Sequence, residues 1–249
     1  MQKVYIITAT VGTEFLDICI QSVQQQIYTN IEHVVVCDGK EHVEKVNIVL
    51  EKYKDMAIPI SVIVLPWNSG RNKYICHKIY ASIPHLLHGP AYVNFLDEDN
   101  FIEPTHISSM IETIQKENYL WTYCLRNVVG KKNQFICKDI CESLGSLSMT
   151  WLSEFNRIDY LVDTSCYLVP LDILQEFSIC WQRPARSTPE ADRLFYKELS
   201  HRYKNYGCTM KFTLNYRIDG RPDSVKADFF MLGNSKIRSK YKEAVPWDL

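Results

Sequence analysis

The sequence predicts an α/β fold, a single domain built on a mixed, mainly parallel central sheet flanked by helices. Two observations carry this. Between residues 3 and 96, short apolar runs alternate with segments of helical periodicity, the order that places parallel strands beside crossover helices. The chain has 249 residues, 46% of them hydrophobic, which is material for one large core.

The elements follow in order. KVYIITA (3–9) is an apolar run of strand length, and residues 14–26 place Phe15, Ile18, Cys19 and Val23 at helical spacing. IEHVVVCDG (31–39) is a second strand ending in Asp38-Gly39, with a helix over 43–54 behind it. ISVIVLP (60–66), a helix over 72–87 and AYVNFL (91–96) complete the alternation. Ligands of open α/β sheets bind beyond the carboxyl ends of the strands. Here those ends carry Thr8-Ala9-Thr10, Asp38-Gly39, Asn68-Ser69-Gly70-Arg71 and Asp97-Glu98-Asp99. Downstream come a helix over 105–117, a strand LWTYCLR (120–126), a polar stretch KKNQ and an irregular region to Tyr160. YLVDTSCYLVP (160–170), a helix over 189–203 and a strand KFTLNYRI (211–218) precede a charged tail, 234–249. Thr188 suits the N-cap of the 189–203 helix and Pro189 its first position. Segment 127–160 is expected to pass over the site, since long connections in compact domains are often binding loops.

The 28 Lys and Arg against 29 Asp and Glu leave a net charge of −1, so no overall field holds a nucleic acid. The longest apolar stretch, 58–67, is broken by Pro59, Ser61 and Pro66 and falls short of the ~20 residues of a membrane span. MQKVYIITAT lacks the succession of a signal peptide. Nine cysteines, an odd number with several inside apolar runs, read as free thiols of a reducing compartment, and the expectation is a cytoplasmic protein. Cys137 and Cys141 have no second pair or histidine at ligand spacing, which favours core thiols over zinc. The basic and aromatic RSKYKEAVPW (238–247) is the candidate for a peripheral membrane contact, against a solvated terminus.

FLDEDN (95–100) places two aspartates at i and i+2 at a strand end, where both carboxylates can turn toward one cation. Hard oxygen ligands suit Mg²⁺ or Mn²⁺, and such an ion neutralises charge on a departing diphosphate. Alone, the motif reads equally well as an acidic turn. Its context is ITATVGTEFLDICIQSVQQQIYTNIEHVVVCDGKE (7–41), with Phe15-Leu16, Ser22-Val23, Gln26, Tyr28, Asn30, Ile31-Glu32-His33 and Asp38-Gly39 in sequence. Asn68, Gly70, Arg71 and Asn72 then stand ahead of a helix. This order closely resembles the opening of family-two glycosyltransferases with the GT-A fold, a Rossmann-like nucleotide-diphospho-sugar transferase arrangement. Two turns depart from the family's pattern: Thr8 and Thr10-Val11 stand where a Pro and a Tyr-Asn are frequent, and Cys37-Asp38-Gly39-Lys40 where Asp-Asp-Gly-Ser is common.

The resemblance implies one GT-A domain over 1–249, with a nucleotide-sugar-binding half (1–104), an acceptor-binding and catalytic half (105–233) and the tail (234–249). It implies donor contacts from Thr8, Ala9, Thr10, Asp38, Asn68, Gly70, Arg71, Asp97 and Glu98, with Asp38 at the base and Arg71 reaching phosphate oxygens. Asp97 would stand near ribose and metal, and Asp99 would be the direct metal ligand. Glu98, alternating with these two, is expected to point away. In STPEADRLFYKEL (187–199), helical spacing buries Ala191, Leu194 and Phe195, leaves Asp192 at the border and Glu190 on the opposite flank, and turns Arg193 outward. By resemblance Asp192 is the base of an inverting transfer, its pKa raised by partial burial. Asp163 and Glu190 are acceptor-side candidates, with a bulge or strand-end position an equal reading of Asp163. In NYRIDGRPDSV (215–225), Arg217 and Arg221 are candidate diphosphate partners, though a surface turn is the preferred reading.

The resulting expectation is a metal-dependent inverting glycosyltransferase of hexosyl type, serving glycan or polysaccharide synthesis. Its cofactor would be Mn²⁺ or Mg²⁺, its donor a nucleotide diphosphate-sugar with UDP the first candidate, and its acceptor a saccharide or other hydroxyl. Two alternatives stand beside it: a nucleotide-sugar-binding module without turnover, and a nucleotidyltransferase. The latter usually brings a Gly-rich basic first loop, whereas ATVGTEF has one Gly and no Lys or Arg.

Overall fold

In a computed structural model, described for residues 1–147, 160–185, 187, 190–219 and 225–240, the expected alternation forms a parallel half-sheet. Its strands are β1 (Lys3–Thr10), β2 (Ile31–Cys37), β3 (Ile60–Val64) and β4 (Ala91–Phe95). They pair in parallel in the order β3-β2-β1-β4, with Ile6 opposite both His33 and Asn94. Residues 4–10 are all buried, as a central strand covered on both faces requires, which is why KVYIITAT reads as one apolar run.

The crossovers are α1 (Leu16–Gln24), α2 (Val43–Leu50) and α3 (His77–Ser82). Leu16, Cys19, Ile20 and Val23 of α1 fall on one stripe, and Leu16 and Ile20 pack with Val35, Cys37 and Val46. Burying each such leucine or isoleucine side chain contributes about 1.5–3 kcal/mol. Just past α1, Gln26 donates from Nε2 to the Glu103 carbonyl at 2.8 Å and accepts from Ile107 N at 3.1 Å. That side chain sets where the next helix, α4 (His106–Glu117), begins.

The second half widens the sheet through β5 (Phe101–Ile102), β6 (Trp121–Val129), β7 (Phe135–Lys138), β8 (Tyr167–Pro170) and β9 (Tyr206–Arg217). The full order is β3-β2-β1-β4-β8-β6-β9-β5, with β7 hydrogen-bonded to β6. The β4–β8, β8–β6, β6–β7 and β9–β5 pairs are antiparallel and β6–β9 is parallel, so the sheet is mixed. Helices α5 (Leu171–Phe177), α6 (Ala191–Arg202) and α7 (Ala227–Lys240) cover this half.

Several elements differ from expectation. The helix expected over 72–87 starts only at His77, because Asn72, Lys73 and Ile75 take positive φ values of 61°, 68° and 47°. The helix expected over 43–54 passes into a 3₁₀ turn after Leu50. In 160–170 the strand is confined to β8, because the Asp163 carboxylate accepts Ser165 N at 2.9 Å and caps a 3₁₀ turn. Segment 127–160 opens as the β6–β7 hairpin, and its residues 148–159 lie outside the described ones. Helix α7 crosses the 233/234 boundary, since Phe230 and Ile237, two turns apart, both bury against Leu125, Val128 and Ile140. Helix α5 was not anticipated; it buries Leu171, Leu174 and Phe177 directly behind an apolar strand that hides the change of period. Thr188, Pro189 and residues 241–249 fall outside the described residues. Among the described residues, no helix is long and apolar enough to cross a membrane.

Candidate nucleotide-sugar site

A cavity of about 380 Å³ opens beyond the carboxyl ends of β1, β2 and β4. Sheet pairing continues past the strand ends, with Asp38 N donating to the Thr10 carbonyl at 2.8 Å and Leu96 N to Ile7 at 2.9 Å. The two acidic turns are thereby held on either side of the end of β1. Ala9 and Thr10 line one wall, Asp38, Asn68 and Gly70 another, and Asp97, Glu98 and Asp99 a third. Phe15, Ile75 and Cys76 add apolar surface.

Asp38 is buried and shapes the loop opposite it: Oδ1 accepts Ser69 N at 2.6 Å and Oδ2 accepts Gly70 N at 3.0 Å. Gly70 is required by close approach, since a Cβ there would lie 2.7 Å from the Ile75 carbonyl oxygen and 3.2 Å from Asp38 Oδ2. Arg71, one residue on, points outward with its side chain 72% exposed and 3.8 Å from Glu41. Thr8 lies beneath the cavity rather than in its wall, its hydroxyl 2.9 Å from His33 Nε2.

Glu98 does not point away. It is buried, accepting Thr10 Oγ1 at 2.5 Å and Thr13 N at 3.2 Å, and so clamps the turn between β1 and α1. Strand alternation fails as a guide here because β4 ends at Phe95 and residues 97–100 form a turn closed by Asn100 N on the Asp97 carbonyl at 3.0 Å. Burial pushes the Glu98 carboxyl up, against the hydrogen bonds from Thr10 and Thr13.

Asp97 accepts the Tyr80 hydroxyl at 2.6 Å on Oδ1, with Cys76 Sγ 3.7 Å from the same oxygen, and its backbone N donates to Ser165 Oγ at 3.2 Å. Asp99 is braced through its backbone: Arg217 Nε donates to its carbonyl at 2.7 Å. Arg217, expected on a surface turn, is buried at the end of β9, its guanidinium 4.4 Å from the Phe15 ring and bonded to the carbonyls of Gly130 and Lys131. Three carbonyl acceptors and an aromatic face explain how the charge is tolerated there. Arg221 lies outside the described residues. Among the described residues no group of three or more His, Cys, Asp or Glu is arranged around a metal-sized space. Asp97 and Asp99 line the same cavity, and carboxylates are the donor chemistry that a small hard cation takes, commonly one or two of them with phosphates and water completing the shell.

Asp192 sits half-buried in the first turn of α6 and does not line this cavity. Burial first, then the neighbouring Glu190 charge, raises its pKa to about 7, opposed by Arg193 N donating to Oδ1 at 2.7 Å. Ala191 and Phe195 are buried as expected and Leu194 is half-buried. Arg193, expected to face out, is 7% exposed because Glu190 and Glu142 receive its guanidinium, at 2.9 Å and 3.5 Å. Asp163 is likewise buried and bound to Arg126 at 2.5 Å, which assigns its carboxylate to an interior ion pair. Arg126 also meets Asp139 at 2.8 Å and Glu142 at 3.0 Å.

Tyr80, Cys76, Arg126 and Glu142 were missed at the sequence level. For Cys76 and Tyr80 the signal was their spacing of four, which sets the residue just before α3 and one turn into it on the side that meets Asp97. For Arg126 it was a cation inside the apolar strand LWTYCLRNVV.

A mixed sheet with a cavity and an acidic turn at the ends of its parallel strands defines the class, the GT-A-type fold. Solved structures of S. aureus TarS share it: residues 1–349 alone (TM-score 0.63, 16% identity, 87% of this chain and 60% of that one), and two complexes. The complex with UDP-GlcNAc has a TM-score of 0.64 at 15% identity, over 92% of this chain and 61% of that one. The complex with UDP has a TM-score of 0.65 at 15% identity, over 88% and 61%. The present chain therefore spans about 60% of the length of these neighbours. No curated protein matches by sequence. The model of the glycosyl transferase family 2 matches residues 4–167, more than half of the 249, and the chain belongs to that family.

Proposed function

We propose that this protein transfers a sugar from a nucleoside diphosphate-sugar to a hydroxyl acceptor, with inversion at the anomeric carbon. The observation that supports this most is one cavity bringing Asp38 together with Asp97 and Asp99 in a chain of glycosyl transferase family 2. TarS structures with UDP and UDP-GlcNAc make UDP the first donor base to test.

In this reading Asp38 and Asn68 face the base, the Glu98-clamped turn faces the ribose and diphosphate, and Asp97 and Asp99 hold Mn²⁺ or Mg²⁺. When bound, that ion neutralises the charge developing on the leaving diphosphate. Asp192 takes the acceptor hydroxyl proton while the oxygen bonds to the anomeric carbon. The bond from that carbon to the diphosphate breaks, and its electron pair leaves with the nucleotide. A carboxyl near pH 7 suits a base working at neutral pH. Nine free thiols suit a reducing compartment, and we place the protein in the cytoplasm on that ground.

The test is thermal shift with UDP, GDP, dTDP and CMP, each with and without Mn²⁺, followed by sugar release from the donor that binds. A ligand that binds only the folded state raises its melting temperature. The expected result is a divalent-dependent rise with one nucleoside diphosphate and slow release of its sugar. Binding without release to any acceptor would overturn the enzyme reading in favour of a binding module.

A further inference from the structure

Between the strand scaffold and the first turn of α6 runs a line of alternating charges. Arg126, on β6, is buried and fixed by Asp139 at 2.8 Å and Asp163 at 2.5 Å, with its guanidinium 4.1 Å from the Tyr216 ring. Asp139 is itself anchored by the backbone N–H groups of Cys141, Glu142 and Ser143. Arg126 meets one oxygen of Glu142 at 3.0 Å, and the other oxygen of Glu142 lies 3.5 Å from Arg193. Arg193 Nε then meets Glu190 at 2.9 Å.

We propose that Glu142 is a positioning residue for the Asp192 carboxylate: anchored by Arg126, it holds the Arg193 guanidinium away from the neighbouring acid. The inference rests on the reading of Asp192 as the base. Arg193 N already contacts Asp192 Oδ1 at 2.7 Å, so the guanidinium belongs to the very next residue. Released into the same half-buried space, it would pair with the carboxylate, hold it ionised and make it a poorer proton acceptor. Glu142 is suited to this because its own place is fixed by Arg126 and its side chain is buried, whereas Glu190, which holds Nε at 2.9 Å, has a side chain 51% exposed. The charges acting on Asp192 are Glu190 and Arg193 from α6 and Asp163 from the turn before β8, and the Tyr167 ring of β8 lies within their field. Asp163 is committed to Arg126, and Arg193 is the cation that opposes burial and the Glu190 charge at Asp192.

The experiment is a titration of the full chain carrying carboxyl-¹³C aspartate, read by NMR, with the Asp192 signal assigned by its loss in Asp192→Asn. It needs neither donor nor acceptor. Glu142→Gln is expected to move the Asp192 midpoint down by about one pH unit, the effect of an opposite charge brought close. Arg193→Gln in the Glu142→Gln background is expected to abolish that movement, because the guanidinium is the agent. Where Glu142→Gln does not fold, Glu142→Asp keeps the charge beside Arg126 but draws it back from Arg193, and the same downward movement is expected. An unchanged midpoint in the folded Glu142 variant, or a movement that persists without Arg193, overturns the proposal. Failure of the base assignment is a separate event: Asp192→Asn would then transfer sugar at the parent rate whatever the titration gives.

Discussion

The Tyr80 hydroxyl donates to Asp97 Oδ1 at 2.6 Å from a ring buried against Phe95 (4.4 Å between centroids) and Trp181 (6.0 Å). The orientation of a cavity carboxylate is thus set by the hydrophobic interior. Tyr80→Phe keeps the ring and removes the donor. In calorimetry with UDP it should lose about 10-fold in affinity in the presence of Mn²⁺, in line with ~1.5 kcal/mol for a hydrogen bond to a charged group, and little in its absence. Equal losses with and without the ion would mean that Asp97 is not on the metal.

Gly70→Ala is expected to damage the same cavity from the opposite wall. Its Cβ would sit 2.7 Å from a backbone oxygen of Ile75, which no rotamer change relieves, and would press on Asp38 Oδ2. A cost of about 1–3 kcal/mol is typical of such overpacking. The measurable outcome is a lowered melting temperature together with lost UDP binding, whereas Arg71→Ala, at an exposed side chain, should leave the melting temperature unchanged.

The parallel half of the sheet was legible because its inner strands β1, β2 and β4 are largely buried and write continuous apolar runs, and Asp38-Gly39 and Asp97-Glu98-Asp99 stand where those runs stop. Legibility ended where period-two reasoning was carried past a strand end. Glu98 lies beyond β4 and turns into the β1–α1 loop, while Thr8, still inside β1, turns into the core. The charged interior was illegible for a different reason. Arg126 is buried among Asp139, Glu142 and Asp163 and Arg193 reaches Glu142, contacts between separate segments that local spacing cannot express, whereas the Glu190–Arg193 pair is an i,i+3 spacing that it can.

Buried His33 and half-buried Asp192 should pull stability in opposite directions with pH. Burial lowers the His33 pKa from 6.5 to about 3, so its contribution is present above pH 6.5 and is lost as pH falls through that window. Asp192, raised from 3.8 to about 7, does the reverse, because the folded state holds a proton that the unfolded chain releases; stability is lost as pH rises from about 4 to 7. Melting curves should therefore show Asp192→Asn gaining on the parent as pH rises from 4 to 7. His33→Gln should gain on the parent as pH falls from 6.5 to 4. Differences independent of pH would remove both assignments.

The most direct measurement of the central claim is turnover of the bound nucleotide-sugar by Asp192→Asn against the parent, at matched donor saturation and with donor affinity measured alongside. The amide keeps the size of the side chain and cannot accept a proton. A loss of about 10² to 10⁴-fold in turnover with donor affinity unchanged is the predicted result; parent-level turnover in the variant would contradict Asp192 as the base of a glycosyl transfer.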